Sequence, residues 1–390
     1  MRLSVFVSSL VASLVGFGGT LALIIAATVA VGASPAESAS AVAALCAGVA
    51  ATSLFLSLRY RMPIVTAWST PGTAVIATFG GGIGMSKAAG AFMLAGALVL
   101  ACAAIAPLSR LVSRIPMSVA SAMLAGVLVR FVMALADNAV AAPVMVLPML
   151  GLFFLLRLWS PTLAVLGVLV AGGAAVLASG NVAVDSIRLA APHLVVVMPQ
   201  FEVPVLLGLG IPLFLVTMAA QNLPGLAVLR TFGYDPPATP CLAATGGASV
   251  LLAPLGATGI NLAAITAAIT ANPDAHPDPK RRYLAGVAYG TWYVLLAASG
   301  ASLVAIFAAL PPAFIATVAG LALLSPLTGA LAGALQEERD RLAAVATFAT
   351  TASGVAVAGM GAPFWGLMAG LAVLALDRLR ERFATMKPHG

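Results

Sequence analysis

Two short stretches of this sequence set small hydroxyl residues, proline and glycine inside apolar runs. Both have the chemistry to receive an anion without a basic side chain. The first is Ser69, Thr70, Pro71 and Gly72, within PIVTAWSTPGTAVIAT, and the second is Thr258, Gly259, Ile260 and Asn261, within LLAPLGATGINLAAIT. In each, a β-branched or proline-broken extended approach gives way to a polar break and then to a short apolar helix. A helix that starts at membrane depth leaves its first backbone N–H groups without partners and turns the positive end of its dipole toward the gap. Ser69 or Thr70 supplies a capping hydroxyl, Pro71 suits a first helical turn, and Gly72 permits close approach. Thr258, Gly259 and Asn261 offer matching chemistry, so the two breaks are expected to face each other across a gap that holds a carboxylate.

A third stretch, PLFLVTMAAQNLPGLAVLRT at 212 to 231, carries adjacent amides at Gln221 and Asn222 before a Pro224-Gly225 kink. An amide is costly in hydrocarbon unless paired, so this pair points to a polar cavity as well as to interhelical hydrogen bonds. Phe17, in the small-residue patch Gly16 to Thr20, together with Trp68 and Tyr289, could cover a flat apolar ligand or simply pack the interior. Arg130 falls inside an apolar run with Asp137 two turns on, and is read first as snorkelling to an interface. No acidic residue falls in mid-span: Glu202 opens a span, and Asp137, Asp185, Asp235, Asp274 and Asp278 are expected in loops with His193. Cys46, Cys102 and Cys241 lack metal or redox spacing and read as small core residues. There is no GxxxxGK[ST] motif, no Ser/His/Asp set and no paired carboxylates at membrane depth. No catalytic residue, no metal site and no cofactor is therefore expected, and the chain does not read as an enzyme.

The elements that must position these residues are membrane spans. Of the 390 residues, 62% are hydrophobic and only 8% charged, against about 25% charged in a soluble domain, so the bilayer has to solvate most of the chain. Crossing about 30 Å of hydrocarbon takes about 20 helical residues. Breaks at charges, Pro and Gly divide the chain into segments near 4–32, 36–58, 62–80, 87–108, 117–136, 141–157, 161–180, 203–226, 238–253, 255–271, 283–309, 312–335, 342–358 and 362–377. The first of these is too long for a cleaved leader and reads as a span. With the N-terminus in the cytoplasm, nearly every basic residue lies on the cytoplasmic side, among them Arg59, Arg61, Arg110, Arg114, Arg157, Arg230, Lys280, Arg281, Arg282, Arg339, Arg341 and Lys387. The opposite loops keep Glu37, Lys87, Asp137, Asp185 and Arg188. The bias follows the positive-inside rule and puts both termini in the cytoplasm. The net charge of +7 thus reads as topology, with no nucleic-acid partner implied. The two interrupted segments occupy matching places in two seven-segment halves, and an odd number per half makes the repeats inverted. The fold class is an all-α polytopic membrane protein of about 14 segments, with short extended stretches in segments 3 and 10.

At PIVTAWSTPGTAVIATFGGG, TMAAQNLPGLAVLRTFGYDPP and APLGATGINLAAITAAI the sequence resembles the BenE family of benzoate/proton symporters, along nearly the whole chain. That family is similar in architecture to the uracil and nucleobase-ascorbate carriers. The resemblance implies a core domain formed by residues 1–114 and 201–310 and a gate domain formed by 115–200 and 311–390. It also implies a short strand before each half-helix, matching the extended stretches at 62–68 and 251–257, and gate domains able to pair into a homodimer. In the nucleobase carriers the eighth and tenth segments bring acidic residues to the substrate. The corresponding places here are Gln221 and the vicinity of Asn261, a departure that suits an anionic aromatic acid. The expectation is a secondary transporter of the bacterial inner membrane, importing benzoate or a similar aromatic carboxylate with a proton. Its substrate-binding residues would be Phe17, Trp68, Ser69, Thr70, Gly72, Gln221, Asn222, Thr258, Gly259, Asn261 and Tyr289. A carrier of another small organic anion or nucleobase-like solute is the alternative, with a channel behind it.

Overall fold

The computed structural model describes residues 3–18, 20–79, 82–105, 116–159, 161–178, 193–358 and 360–385. Gly19, Arg110, Arg114, Asp185, Arg188 and Lys387 lie outside these. The first span is divided into α1 (Leu3–Gly18) and α2 (Leu21–Ala30). The next helix, α3 (Pro35–Tyr60), opens on a capping box, in which Ser34 Oγ accepts from Glu37 N and the Glu37 carboxylate accepts from Ser34 N. The first interrupted span is β1 (Thr66–Ala67) followed by α4 (Thr70–Phe79). Then come α5 (Met85–Ala104), α6 (Met117–Ala141), α7 (Pro143–Arg157) and α8 (Pro161–Ala178). A long helix, α9 (Val203–Thr231), contains two π turns at Leu206–Gly210 and Met218–Asn222. After α10 (Ala238–Leu252), the second interrupted span is β2 (Asn261–Leu262) and α11 (Ile265–Ala271). The chain closes with α12 (Tyr283–Ala309), α13 (Pro312–Leu335), α14 (Arg341–Ala352) and α15 (Ala362–Thr385).

Among the described residues nine helices are long and apolar enough to cross a bilayer. Leu3, Val29, Phe55, Val144, Trp159 and Leu251 stand exposed on the outside, where only lipid gives such side chains an apolar solvent. Inside, α3 packs along α12, α5 along α10, α6 along α13, and α14 against α15 and α6. Cys46, Cys102 and Cys241 are buried free thiols.

Three expectations need correction. The second strand is not at 251–257: α10 runs to Leu252, Pro254 sits in a 3-10 turn over Ala253–Leu255, and Gly256 ends that turn at φ 86°. Proline is at home in a first helical turn, so Pro254 did not mark the extended stretch, which begins seven residues later at Asn261–Leu262. Asp137 belongs to α6, which continues to Ala141, rather than to a loop. Arg282, counted among the basic residues of a solvated loop, is buried.

Arg282 organises the turn that follows α11. Its Nη1 donates to Ala271 O at 3.0 Å, its Nε to His276 O at 2.7 Å and its Nη2 to Pro277 O at 3.4 Å. A cation at the last carbonyls of a helix satisfies acceptors that have no intrahelical donor and suits the negative end of the dipole. The residue therefore anchors the short half-helix from its far end. Arg282→Gln is expected to strand these carbonyls and lower stability by about 2–3 kcal/mol, read as a fall in the thermal unfolding midpoint of the detergent-purified protein.

Candidate functional site

The two interrupted spans meet through their strands. β1 and β2 pair antiparallel, Thr66 opposite Leu262 and Ala67 opposite Asn261, with Ala263 N also donating to Val65 O at 3.1 Å. Four residues cannot satisfy a backbone on their own, and side chains from neighbouring helices complete the work. Ser53 Oγ on α3 accepts from Thr66 N at 2.9 Å, and Ser249 Oγ on α10 accepts from Ile260 N at 2.8 Å. Tyr289 on α12 donates its hydroxyl to Thr66 O at 3.0 Å. Asn222 Oδ1 on α9 accepts from Leu262 N at 2.9 Å, and Asn222 Nδ2 reaches Met218 Sδ at 3.4 Å. The Asn261 amide bridges back to the first span, its Nδ2 donating to Ala67 O at 2.9 Å and its Oδ1 accepting from Ser69 N at 3.0 Å.

The motif glycines serve the same assembly. A Cβ on Gly225 would sit 2.8 Å from Leu262 Cβ and 3.0 Å from Ala263 O, so the glycine of QNLPG is what lets β2 lie against α9. A Cβ on Gly72 would meet Leu213 Cδ1 at 2.8 Å and Ser69 Oγ at 2.9 Å, which fills the space that sequence reasoning reserved for a ligand.

At the start of α4 the accounting of N–H groups is specific. Ser69 Oγ accepts from Gly72 N at 2.9 Å, Ser69 N is taken by Asn261, and Pro71 has no N–H. The amide and hydroxyl of Thr70 remain for a ligand. Thr70 and Pro71 border a cavity of about 400 Å³, enclosed by Val216, Ala219, Ala220, Gln221 and Pro224 of α9 and by Ala264 and Ile265 at the start of α11. Its other wall is Met117, Ala120, Ser121 and Leu124 of α6 with Ser325, Pro326, Gly329 and Ala330 of α13. Among the described residues the lining is mainly apolar and carries no charged side chain. Gln221 belongs to the π turn, a feature frequent at functional sites. Its carboxamide makes no hydrogen bond with the described residues. Pro224 and Pro326, both in the lining, have no N–H to donate to the turn before them.

Of the sequence-derived residues, Thr70 and Gln221 line this cavity, and Ser69, Gly72, Asn222 and Asn261 build its frame. Thr258 and Gly259 are not at the second half-helix, which begins at Ile265; Thr258 is buried and Gly259, at φ 131°, lies on the approach to β2. The aromatic residues stack on one another instead of lining the cavity. Phe17 and Trp68 stand edge to face at 5.9 Å, Trp68 meets Tyr293 at 5.8 Å, and Tyr289 meets Tyr293 at 4.8 Å. Trp68 Nε1 donates to Thr20 Oγ1 at 2.8 Å, which ties β1 to the break between α1 and α2. Arg130 is exposed, its guanidinium over Gly354, outside the cavity lining. Residues of α6 and α13 were missed because apolar helices with isolated serines carry no local signal of the cavity they join.

The far end of the same assembly packs against the residues just before α15. Phe79, at the end of α4, and Gly208, in the first π turn of α9, lie directly against Met360 and Gly361. From Gly208 to Val216, where the cavity begins, is about 12 Å along the helix.

Two interrupted spans, stitched together beside a cavity between two sets of helices, define a membrane transporter. The fold itself is shared with solved structures: the transmembrane domain of the cyanobacterial bicarbonate transporter BicA superposes with a TM-score of 0.61 at 15% identity, over 95% of this chain and 97% of that one. SLC26A9 superposes with a TM-score of 0.62 at 12% identity, over 96% of this chain and 65% of that one. The chain belongs to the BenE, or benzoate membrane transport protein, family, whose profile matches residues 1–376. It is 37% identical to the inner membrane protein YdcO of Escherichia coli over 372 residues, 95% of each chain. It is 34% identical to the benzoate membrane transport protein of Acinetobacter baylyi over 371 residues, 95% of this chain and 94% of that one.

The two adjacent amides therefore have different jobs, and stability separates them. Asn222→Leu strands Leu262 N and is expected to cost about 1–3 kcal/mol in the unfolding of the purified protein, whereas Gln221→Leu leaves the midpoint where it is.

Proposed function

We propose that this transporter imports benzoate or a related aromatic carboxylate across the bacterial inner membrane together with a proton. The observation that carries the reading is the cavity beside Thr70 and Gln221. A carboxylate there finds the Thr70 amide and hydroxyl, the positive end of the ten-residue α4 and the free amide of Gln221, with no carboxylate in the lining to repel it. The ring finds Met117, Leu124, Val216 and Ile265. The dipole contribution is uneven, since α11 has only seven residues, so α4 is the principal anion end. Among the described residues no titratable side chain lines the cavity, so the substrate carboxylate is itself a group there able to carry a proton. Family membership and the name of the Acinetobacter relative support the same substrate.

Transport follows from alternating access between a core, 1–114 with 201–310, and a gate, 115–200 with 311–390, built as two inverted seven-segment repeats with both termini in the cytoplasm. On that orientation the Phe79–Gly208–Gly361 contact closes the outer side and the cavity belongs to an inward-facing state. Pairing of two gates into a homodimer is compatible with this division.

Uptake of labelled benzoate into proteoliposomes under an imposed inward proton gradient, with uracil in parallel, tests the reading. Gradient-dependent benzoate accumulation that a protonophore collapses is the expected result, and Gln221→Leu should cut it roughly tenfold by removing a hydrogen bond to a charged group. Accumulation of uracil in place of benzoate would overturn it.

A further inference from the structure

Resting on the aromatic-carboxylate reading, we infer that the preferred substrates include acids with a ring hydroxyl remote from the carboxylate, received by Ser121 and Ser325. Both serines line the cavity from α6 and α13, the wall that does not carry Thr70 and Gln221. Helical hydroxyls in apolar surroundings normally donate back to a carbonyl three or four residues earlier. The neighbours on α13 do so: Thr317 donates to Ala313 O at 2.7 Å and Thr328 to Leu324 O at 2.9 Å. On α6, Ser118 donates to Asp340 Oδ2 at 2.8 Å. Ser121 and Ser325 make no hydrogen bond with the described residues, and both keep solvent-accessible surface. Two unspent hydroxyls in a wall that is otherwise apolar are a mismatch for a bare phenyl ring and a match for a phenolic one.

Size agrees. A cavity of about 150 Å³ suffices for benzene, so about 400 Å³ leaves room beyond the ring. With the carboxylate at the α4 end, a substituent at the 3 or 4 position points toward the α6 and α13 wall, whereas a 2-hydroxyl stays beside the carboxylate. The serines thus act as specificity-determining residues, accepting from or donating to the phenolic oxygen.

The test is competition against labelled benzoate uptake by 4-hydroxybenzoate, 2-hydroxybenzoate and 4-methylbenzoate, on the unmodified protein and on the Ser121→Ala/Ser325→Ala double variant. The expected result is that 4-hydroxybenzoate competes about three- to tenfold better than 4-methylbenzoate and better than 2-hydroxybenzoate, and that the double variant loses this advantage. Continued competition by 4-methylbenzoate shows that the variant is folded. Equal or stronger competition by 4-methylbenzoate on the unmodified protein overturns the inference and leaves the benzoate reading intact, even if the double variant fails to fold. Retention of the hydroxyl preference in a folded double variant overturns the role of the serines. Absence of any benzoate uptake removes the aromatic-carboxylate reading, and this inference with it.

Discussion

The arrangement around the cavity depends on one constraint: backbone broken open inside hydrocarbon must still have its polar groups satisfied. Water is absent there, and each orphaned N–H or C=O costs several kcal/mol. Two residues of β1 and two of β2 meet part of the demand by pairing with each other. The remainder falls to Ser53, Ser249, Tyr289, Asn222 and Asn261, which come from α3, α10, α12, α9 and β2. These side chains are polar because the backbone requires it, and their requirement brings together helices distant in sequence.

The cavity is what the stitching leaves over. Capping consumes Ser69, the Asn261 bridge consumes the Ser69 amide, and Pro71 offers none, so Thr70 emerges as the open point of α4. In the same way Asn222 is used up and its neighbour Gln221 is not. The wall formed by α4, α9 and α11 is thereby a single hydrogen-bonded unit. The wall of α6 and α13 faces it through apolar contact, with no strand or amide crossing between them among the described bonds. A surface of that kind is suited to relative movement, since sliding breaks no backbone hydrogen bond.

Much of this was legible in the chain. The long apolar runs gave α3, α12 and α13 nearly to the residue, because length and hydropathy decide a span. STPG marked the first half-helix correctly, as proline after a capping serine has few other uses. The second interrupted span was misregistered: the extended stretch was expected at 251–257, where Pro254 and Gly256 form and end a 3-10 turn, and the strand lies instead at Asn261, which was expected in the break. Adjacent amides were recognised as polar cargo at membrane depth, but only geometry divides a structural Asn222 from a cavity-lining Gln221. Of the two readings left open for the aromatic rings, the structure shows packing: Phe17, Trp68 and Tyr289 cluster with Tyr293, which their composition allowed but did not specify. Tertiary partners more than 200 residues apart, such as Tyr289 and Thr66, leave no trace in local pattern.

The pairing of β1 with β2 also sets a timetable for biogenesis. Thr66 leaves the ribosome about 200 residues before Leu262, and at about 5–20 residues per second its partner strand follows roughly ten to forty seconds later. Throughout that interval the first broken span has neither its strand partner nor the Asn261 amide. Until then its partners are those of the first half, among them Ser53 and Thr52 of α3 and Thr20, which accepts from Trp68 Nε1. A nascent chain arrested between the two halves would carry a segment within the membrane that lacks these partners. The same feature that makes the site therefore makes this protein's assembly obligatorily late.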